Sequence, residues 1–307
     1  MNNSAWQKFR KDKWGIAALI VVILYFCCAV CVEIYDANCR KNHRIQAYNL
    51  SSEACYAPPS SEHWCGTDYQ GRDVFLRTVA GSASALKTGM FSGIIAVFIG
   101  VTLGMFSGYF GGKCDEFTVW LFSTFSALPT LLFIRAFALI TGGDFLSAES
   151  SAALETFAGW INAEPGMLGV YLAIGLTGWV ALCRIARAET MKLKNQTFVQ
   201  AAKVSGVSNR VIIFRHILPN IMHLVIIYFT LRFAYAVMTE VLVSYLGLGV
   251  QNAPSWGIMI SDGQERLWRG VWWEAAAASG FMFILVLSLN LLGDGLRDIF
   301  DPKNESR

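Results

Sequence analysis

The chain has 307 residues, of which 54% are hydrophobic and 15% charged, with a mean hydropathy of +0.44. A soluble domain of this length carries about 25% charged residues, so an ordinary aqueous globule is excluded. The net charge of +3 comes without aromatic interleaving of the basic residues or a binding motif, so no nucleic-acid partner is expected.

In chain order, a basic tail (1–13) leads into the apolar run "WGIAALIVVILYFCCAVCV", residues 14–32. That run is long for the core of a signal peptide, and no small-residue cleavage site follows it, so it is read as a retained first span. Residues 33–87 are polar by comparison and hold Cys39, Cys55 and Cys65. Further apolar windows fall at 88–110, 117–140, 167–187, 221–246 and 274–292. Each approaches the roughly 20 residues needed to cross a bilayer as a helix. Runs this long and continuous do not suit barrel strands, which leaves helices as the spanning structure. The expected fold class is an all-α polytopic membrane protein with about six transmembrane helices. The core spans 88–293, and a tail covers 294–307.

Orientation is read from Lys and Arg in short loops. The N-terminal tail has Lys8, Arg10, Lys11 and Lys13 against Asp12. Segment 184–215 has Arg184, Arg187, Lys192, Lys194, Lys203, Arg210 and Arg215 against Glu189. Segment 141–166 has no basic residue and carries Asp144, Glu149, Glu155 and Glu164. The basic segments are expected on the cytoplasmic side, with both termini. Segments 33–87, 141–166 and 247–273 are then external. An external disulfide among Cys39, Cys55 and Cys65 is open, and the spacing does not select a pair.

Inside the spans, Gly89 and Gly93 are four apart, as are Gly100, Gly104 and Gly108. Small residues at that spacing let helices approach closely. Pro129 breaks the third span. Arg135, Arg232 and Glu240 are ionisable groups within spans, which face a protein interior or a water-filled path. They are candidates for a translocation pathway or a subunit contact. The alternative is interfacial snorkelling or a structural ion pair.

The stretch "FVQAAKVSGVSNRVIIFRHILPN", 198–220, is too charged for lipid and too regular for a linker. Thr197 is a candidate N-cap for a helix from Phe198 to Ser205, and Gly206 supplies a turn. Ser208 or Asn209 caps a second helix, and Pro219 marks a break before the fifth span. Its small outer face (Ala201, Ala202, Ser205) suits a groove on another protein. Its basic residues equally suit anionic headgroups, and residue physics alone leaves both readings open.

Gln200-Ala201-Ala202, then Gly206, then Leu218-Pro219 resemble the EAA loop of ABC importer permeases. Gln200 stands where that pattern has Glu, and His216 stands at its apolar position; "RHILPN" (215–220) is the form typical of the dipeptide/oligopeptide branch. "EHWCGTDYQGRDVFLRTVAGSASAL" (62–86), "YFGGKCDE" (109–116), "SALPTLLF" (126–133), "EVLVSYLGLGVQNAPSWGIMI" (240–260) and "NLLGDGLRDIFDP" (290–302) are similar to that branch in order, most closely to its C-type subunit. The resemblance implies a type I ABC importer permease fold in a bacterial inner membrane. It implies coupling to an ATPase through Gln200, Ala201, Ala202, Lys203, Ser205, Gly206, Val207, Arg215, His216, Leu218 and Pro219, within the loop 188–220. It singles out an external motif, Gly66, Thr67, Asp68, Gly71, Arg72 and Asp73. The implied partners are a homologous B-type permease, one or two cytoplasmic ABC ATPases, an extracytoplasmic solute-binding protein and membrane lipid.

The chain has no phosphate loop; Gly111-Gly112-Lys113-Cys114 lacks the first glycine and the hydroxyl. It is therefore not expected to be an enzyme. No cofactor is expected on this chain, and the resemblance puts ATP and Mg on the partner ATPases. His43, His63, His216 and His223 lack carboxylates at ligand spacing, so no metal is expected. The competing reading is an ion-coupled transporter or channel, with Arg135, Arg232 and Glu240 as a relay.

Overall fold

The computed structural model describes residues 12–141, Thr156, Gly159, 167–249 and 254–300. The basic residues at 8–11, the acidic ones at 144–164 and the last seven residues lie outside it. Among the described residues the regular structure is helical, apart from one isolated antiparallel bridge between Thr67 and Asp73. We number the helices α1 (Lys13–Lys41), α2 (Val74–Phe110), α3 (Gly112–Ala127), α4 (Thr130–Thr141), α5 (Met167–Leu193), α6 (Thr197–Val204), α7 (Asn209–Tyr245), α8 (Trp256–Gln264) and α9 (Trp273–Phe300). Among the described residues, α1, α2, α5, α7 and α9 are each long and apolar enough to cross a membrane.

The break expected at Pro129 is present: α3 and α4 meet at 92° across Leu128 and Pro129. Leu128 takes the extended backbone (φ −77°, ψ 132°) that a following proline enforces. The helix that carries the second span extends beyond the apolar window and begins at Val74, because Asp73 caps α2 by accepting from Leu76 N–H (2.9 Å) and nothing after it breaks the helix. The fifth span has no break at Pro219. A π-helical stretch, Ile212–Ile217, carries the chain from Asn209 into the span, and Pro219 sits in the first turn beyond it. An interior proline lacks an N–H and crowds the preceding turn, and here that turn is the widened π stretch.

The glycine stripe of α2 forms a close seam with α5. A Cβ added at Gly100, Gly104 or Gly108 would lie 2.8, 2.6 and 2.6 Å from the carbonyl oxygens of Trp179, Cys183 and Arg187 on α5. Backbone cannot yield as a side chain can. We therefore expect Gly104→Val to destabilise the bundle by about 1–3 kcal/mol or more, seen as early thermal aggregation of the solubilised chain. Unchanged melting would show that α2 and α5 can separate freely. Outside this seam, α1 lies against α2 and α9, and its Tyr25 hydroxyl donates to the Phe281 carbonyl (2.9 Å).

At the end of the bundle that carries α6, the core is aliphatic. Val199 of α6 is buried with Ile212, Ile213 and Ile217 of the π stretch, Val101 and Met105 of α2, and Leu182 and Ala186 of α5. Burying one such side chain is worth about 1.5–3 kcal/mol where the alternative is water. Val199 thus joins α6 to this cluster, with α6 packed on the π stretch that leads into α7. The eight cysteines are all free in this structure, including Cys39, Cys55 and Cys65.

Candidate functional site

Two sites were expected, and they lie at opposite ends of the bundle. At the first, α6 follows a short turn after α5. Thr197 is the first helical residue rather than the cap; Gln196 takes the cap position, and its side chain makes no capping bond. The helix stops at a glycine. Gly206 has φ +77°, Gly206 N–H donates to Lys203 O (3.1 Å) and Val207 N–H to Ala202 O (3.1 Å). This paired closure needs a left-handed residue, which glycine adopts without penalty. Ser208 occupies the next cap position without a side-chain bond, and Asn209 instead accepts from the Tyr109 hydroxyl (2.8 Å).

The exposed face of α6 is Gln200, Ala201, Lys203 and Val204, continued by Ser205 and Gly206. Ala202 and Val207 are half-buried and turn towards the aliphatic core. The outer face expected from sequence therefore loses Ala202 and gains Val204, which is 88% exposed. Val204 adds an apolar group to that exposed face. Arg215, His216, Leu218 and Pro219 sit separately, on the π stretch and the first turn after it, and Arg215 and Pro219 are exposed.

Gln200 has a local role. Its Nε2–H donates to the Lys194 carbonyl (2.9 Å), just beyond the end of α5. A glutamate there has no proton to donate and would set its charge against a carbonyl. We expect Gln200→Glu to lower stability by roughly 0.5–1.5 kcal/mol, measurable by tryptophan fluorescence on heating. An unaltered transition would show the bond contributes nothing. Lys194 in turn reaches the Gly108 and Tyr109 carbonyls (3.4 and 3.3 Å), a cation at the C-terminal end of α2. Arg187 of α5 pairs with Asp115 of α3 through two hydrogen bonds, one of 2.7 Å.

At the other end, the Gly66–Asp73 motif is a folded lock. Gly66 has φ +72°, and a Cβ there would strike the Ala57 carbonyl and the Trp273 ring. Thr67 is fully buried; its hydroxyl donates to Ala54 O (2.6 Å) and accepts from Ala57 N–H (2.8 Å). Asp68 is fully buried too. It accepts from Gln70 N–H (2.8 Å), Arg72 N–H (2.9 Å) and Arg72 Nε (2.6 Å), and Arg77 Nε lies 3.7 Å away. Gly71 also has φ +72° and lies against the Ser52 backbone. Asp73 caps α2 and contacts His63 Nδ1 at 2.7 Å.

The lock has a distant half that sequence reading missed. Trp273 donates from Nε1 to Thr67 O (3.0 Å), and Trp256 from Nε1 to Thr78 O (2.8 Å). Arg266 lies over the rings of Tyr56 and Tyr69, donates to the Tyr56 hydroxyl (2.9 Å) and approaches Glu274 at 3.8 Å. Burial pushes the Asp262 carboxyl up, against the pull of Arg266, Arg77 and Arg72. The motif thus ties the segment before α2 to the α8–α9 turn.

The three intramembrane charges are not brought together. Arg135 is exposed on α4. Arg232 is half-buried, its guanidinium close against Gly178; it donates from Nη2 to Ile174 O (2.8 Å) and lies over the Tyr235 ring. Glu240 is buried and accepts from Ser244 Oγ (2.8 Å) and Ser255 Oγ (2.9 Å), joining α7 to α8. Among the described residues no hydrogen bond or ion pair links any two of the three, so a relay gains no support.

Residues 100–306 match the family described as binding-protein-dependent transport system inner membrane component. The dipeptide transport system permease protein DppC of Bacillus subtilis (strain 168) is 33% identical over 301 residues, covering 97% of this chain and 85% of that protein. The oligopeptide transport system permease protein OppC of the same organism is 32% identical, covering 97% and 88%. The glutathione transport system permease protein GsiD of Pectobacterium atrosepticum is 31% identical, covering 98% and 91%. With its apolar spanning helices and an order of motifs that runs nearly end to end, the chain belongs to the binding-protein-dependent inner-membrane permeases, as a multi-pass C-type subunit of the dipeptide/oligopeptide branch.

Proposed function

We propose that this subunit forms half of the translocation pathway of an ATP-driven importer for peptides, and that α6 is the piece through which the ATPase moves it. The observation that carries this is the build of α6. A short helix presents Ala201, Lys203 and the exposed Val204 outward, while Val199 is buried in the aliphatic cluster and α6 packs on the π stretch that opens α7. Such a helix can sit in a groove on an ATPase and transmit a rigid-body displacement. The spans then have two arrangements, and nucleotide on the partner sets their balance. ATP and Mg reside on the ATPases, and α6 lies on the cytoplasmic side with both termini. A homologous B-type permease supplies the other half of the pathway, and an extracytoplasmic binding protein delivers cargo. Three relatives named for dipeptide, oligopeptide and glutathione transport support a peptide cargo.

The test is gentle solubilisation of the tagged chain, mass spectrometry of co-purifying proteins and an ATPase assay. A second permease with one or two nucleotide-hydrolysing subunits is the expected result. A chain that purifies alone and transports without nucleotide would overturn the reading.

A further inference from the structure

The basic stretch after α6 divides into two surfaces with different chemistry. Beyond Gly206, the side chains of Arg210, Val211, Phe214, Arg215 and Pro219 line an open cleft of about 500 Å³. Val211 and Phe214 are 41% and 49% exposed, and both arginines are exposed. Among the described residues neither guanidinium has a hydrogen bond or ion pair, although Arg187 and Lys192 nearby in sequence each have an acidic partner. The floor is aromatic: Phe214 meets Phe106 edge-on at 6.4 Å, and Phe106 stacks on Phe110. The apolar lining does not stop at the cleft. Met222 and Ile226, three and seven residues beyond Pro219 on α7, are each 40% exposed and lead along the span.

We propose that this cleft holds an anionic phospholipid of the leaflet on the α6 side, its phosphate on Arg210 and Arg215 and its acyl chains along Phe214, Met222 and Ile226. Charge and shape together select this occupant. Two unpartnered guanidiniums attract a phosphate, and the apolar track that continues into the span suits hydrocarbon, which a soluble anion does not have. The π stretch contributes by its register. It buries Ile212, Ile213 and Ile217 while Phe214 and Arg215 stay outside. Lipid in the cleft would brace the return from α6 to α7, the segment that must stay stiff if a displacement of α6 is to reach the span.

The proposal rests on the orientation given under Proposed function; it confines ATPase docking to α6 and takes Arg215 and Pro219 out of the coupling set that the resemblance implies. The probe is the full chain, purified with whatever subunits accompany it. It is exchanged into an equal mixture of phosphatidylglycerol and phosphatidylcholine, and retained lipid is read by native mass spectrometry. Phosphatidylglycerol should be enriched, with about a fivefold loss for each arginine replaced in Arg210→Gln and Arg215→Gln. Arg210→Lys with Arg215→Lys should keep most of the enrichment, and Lys203→Gln all of it. Phe214→Ala should weaken retention of both lipids while leaving the preference. Equal lipid ratios in the wild type and the double Gln variant overturn the proposal. So does displacement of the lipid by inorganic phosphate at low concentration, which would mark a free-anion site, or a second subunit seated on the cleft with no lipid there. Trypsin cleavage after Lys203 in inverted but not right-side-out vesicles reports the orientation separately.

Discussion

Ala201→Arg is expected to stop peptide uptake by the assembled importer while the chain stays in the membrane at its normal level. Ala201 is exposed at the middle of α6, and its neighbour Val204 is the most exposed aliphatic residue of that helix. A guanidinium there fills the space a groove would close over and buries a charge without a partner. Losing a central contact in a docked helix costs about 2 kcal/mol, roughly thirtyfold in affinity. Because Ala201 does not enter the buried cluster around Val199, the bundle itself is untouched. Gly206→Pro should give the same phenotype by another route. Gly206 sits at φ +77°, which proline cannot reach, so the end of α6 is rebuilt. The readouts are uptake of a labelled dipeptide, the membrane level by blotting and the ATPase recovered on the tag. Uptake at the wild-type rate in both variants would remove α6 from the coupling path.

Asp68→Ala is expected to be the most damaging single change at the opposite end. Asp68 is fully buried, receives two backbone N–H groups and Arg72, and faces Arg77. Removing one member of a buried ionic group strands the others, at about 3–5 kcal/mol. Arg77 would then lose its nearest carboxylate while remaining buried. The segment before α2 should come away from the α8–α9 turn and become sensitive to protease added from outside. Asp68→Asn keeps the shape and one acceptor and should lie between wild type and Asp68→Ala. Protection equal to wild type in Asp68→Ala would mean the lock is held by Thr67, Trp273 and the surrounding packing instead.

Much of this was readable before any coordinates. The apolar windows found the spans, because lipid forces each backbone polar group into a helix of a known minimum length. The α6 loop was readable because its determinants are local: a helix, a glycine stop and a return within 23 residues. Helix ends were read less well. The apolar window at 88–110 does not reveal that α2 extends back to Val74, because Arg77 and Lys87 lower the hydropathy there; in the fold Arg77 is buried and Lys87 pairs with Glu33 of α1. Pro219 looks like a break, and only the wider π turn before it shows why the helix continues.

What the sequence determined by itself is the class, the spans and the place of the short helix α6 between two of them. These follow from hydropathy, from short-range turn chemistry and from motifs that lie close together in the chain. What only the tertiary structure decided is who meets whom. Thr67 finds Trp273 across 206 positions and Tyr56 finds Arg266 across 210, while Asp68 is held by its near neighbours Arg72 and Arg77. Arg232 and Glu240 turn out to serve separate helix contacts, and Val204 rather than Ala202 faces outward. The reason is physical: spacing along a chain sets which face a residue occupies on its own helix, while the packing of glycine seams and buried charges sets which helix that face meets.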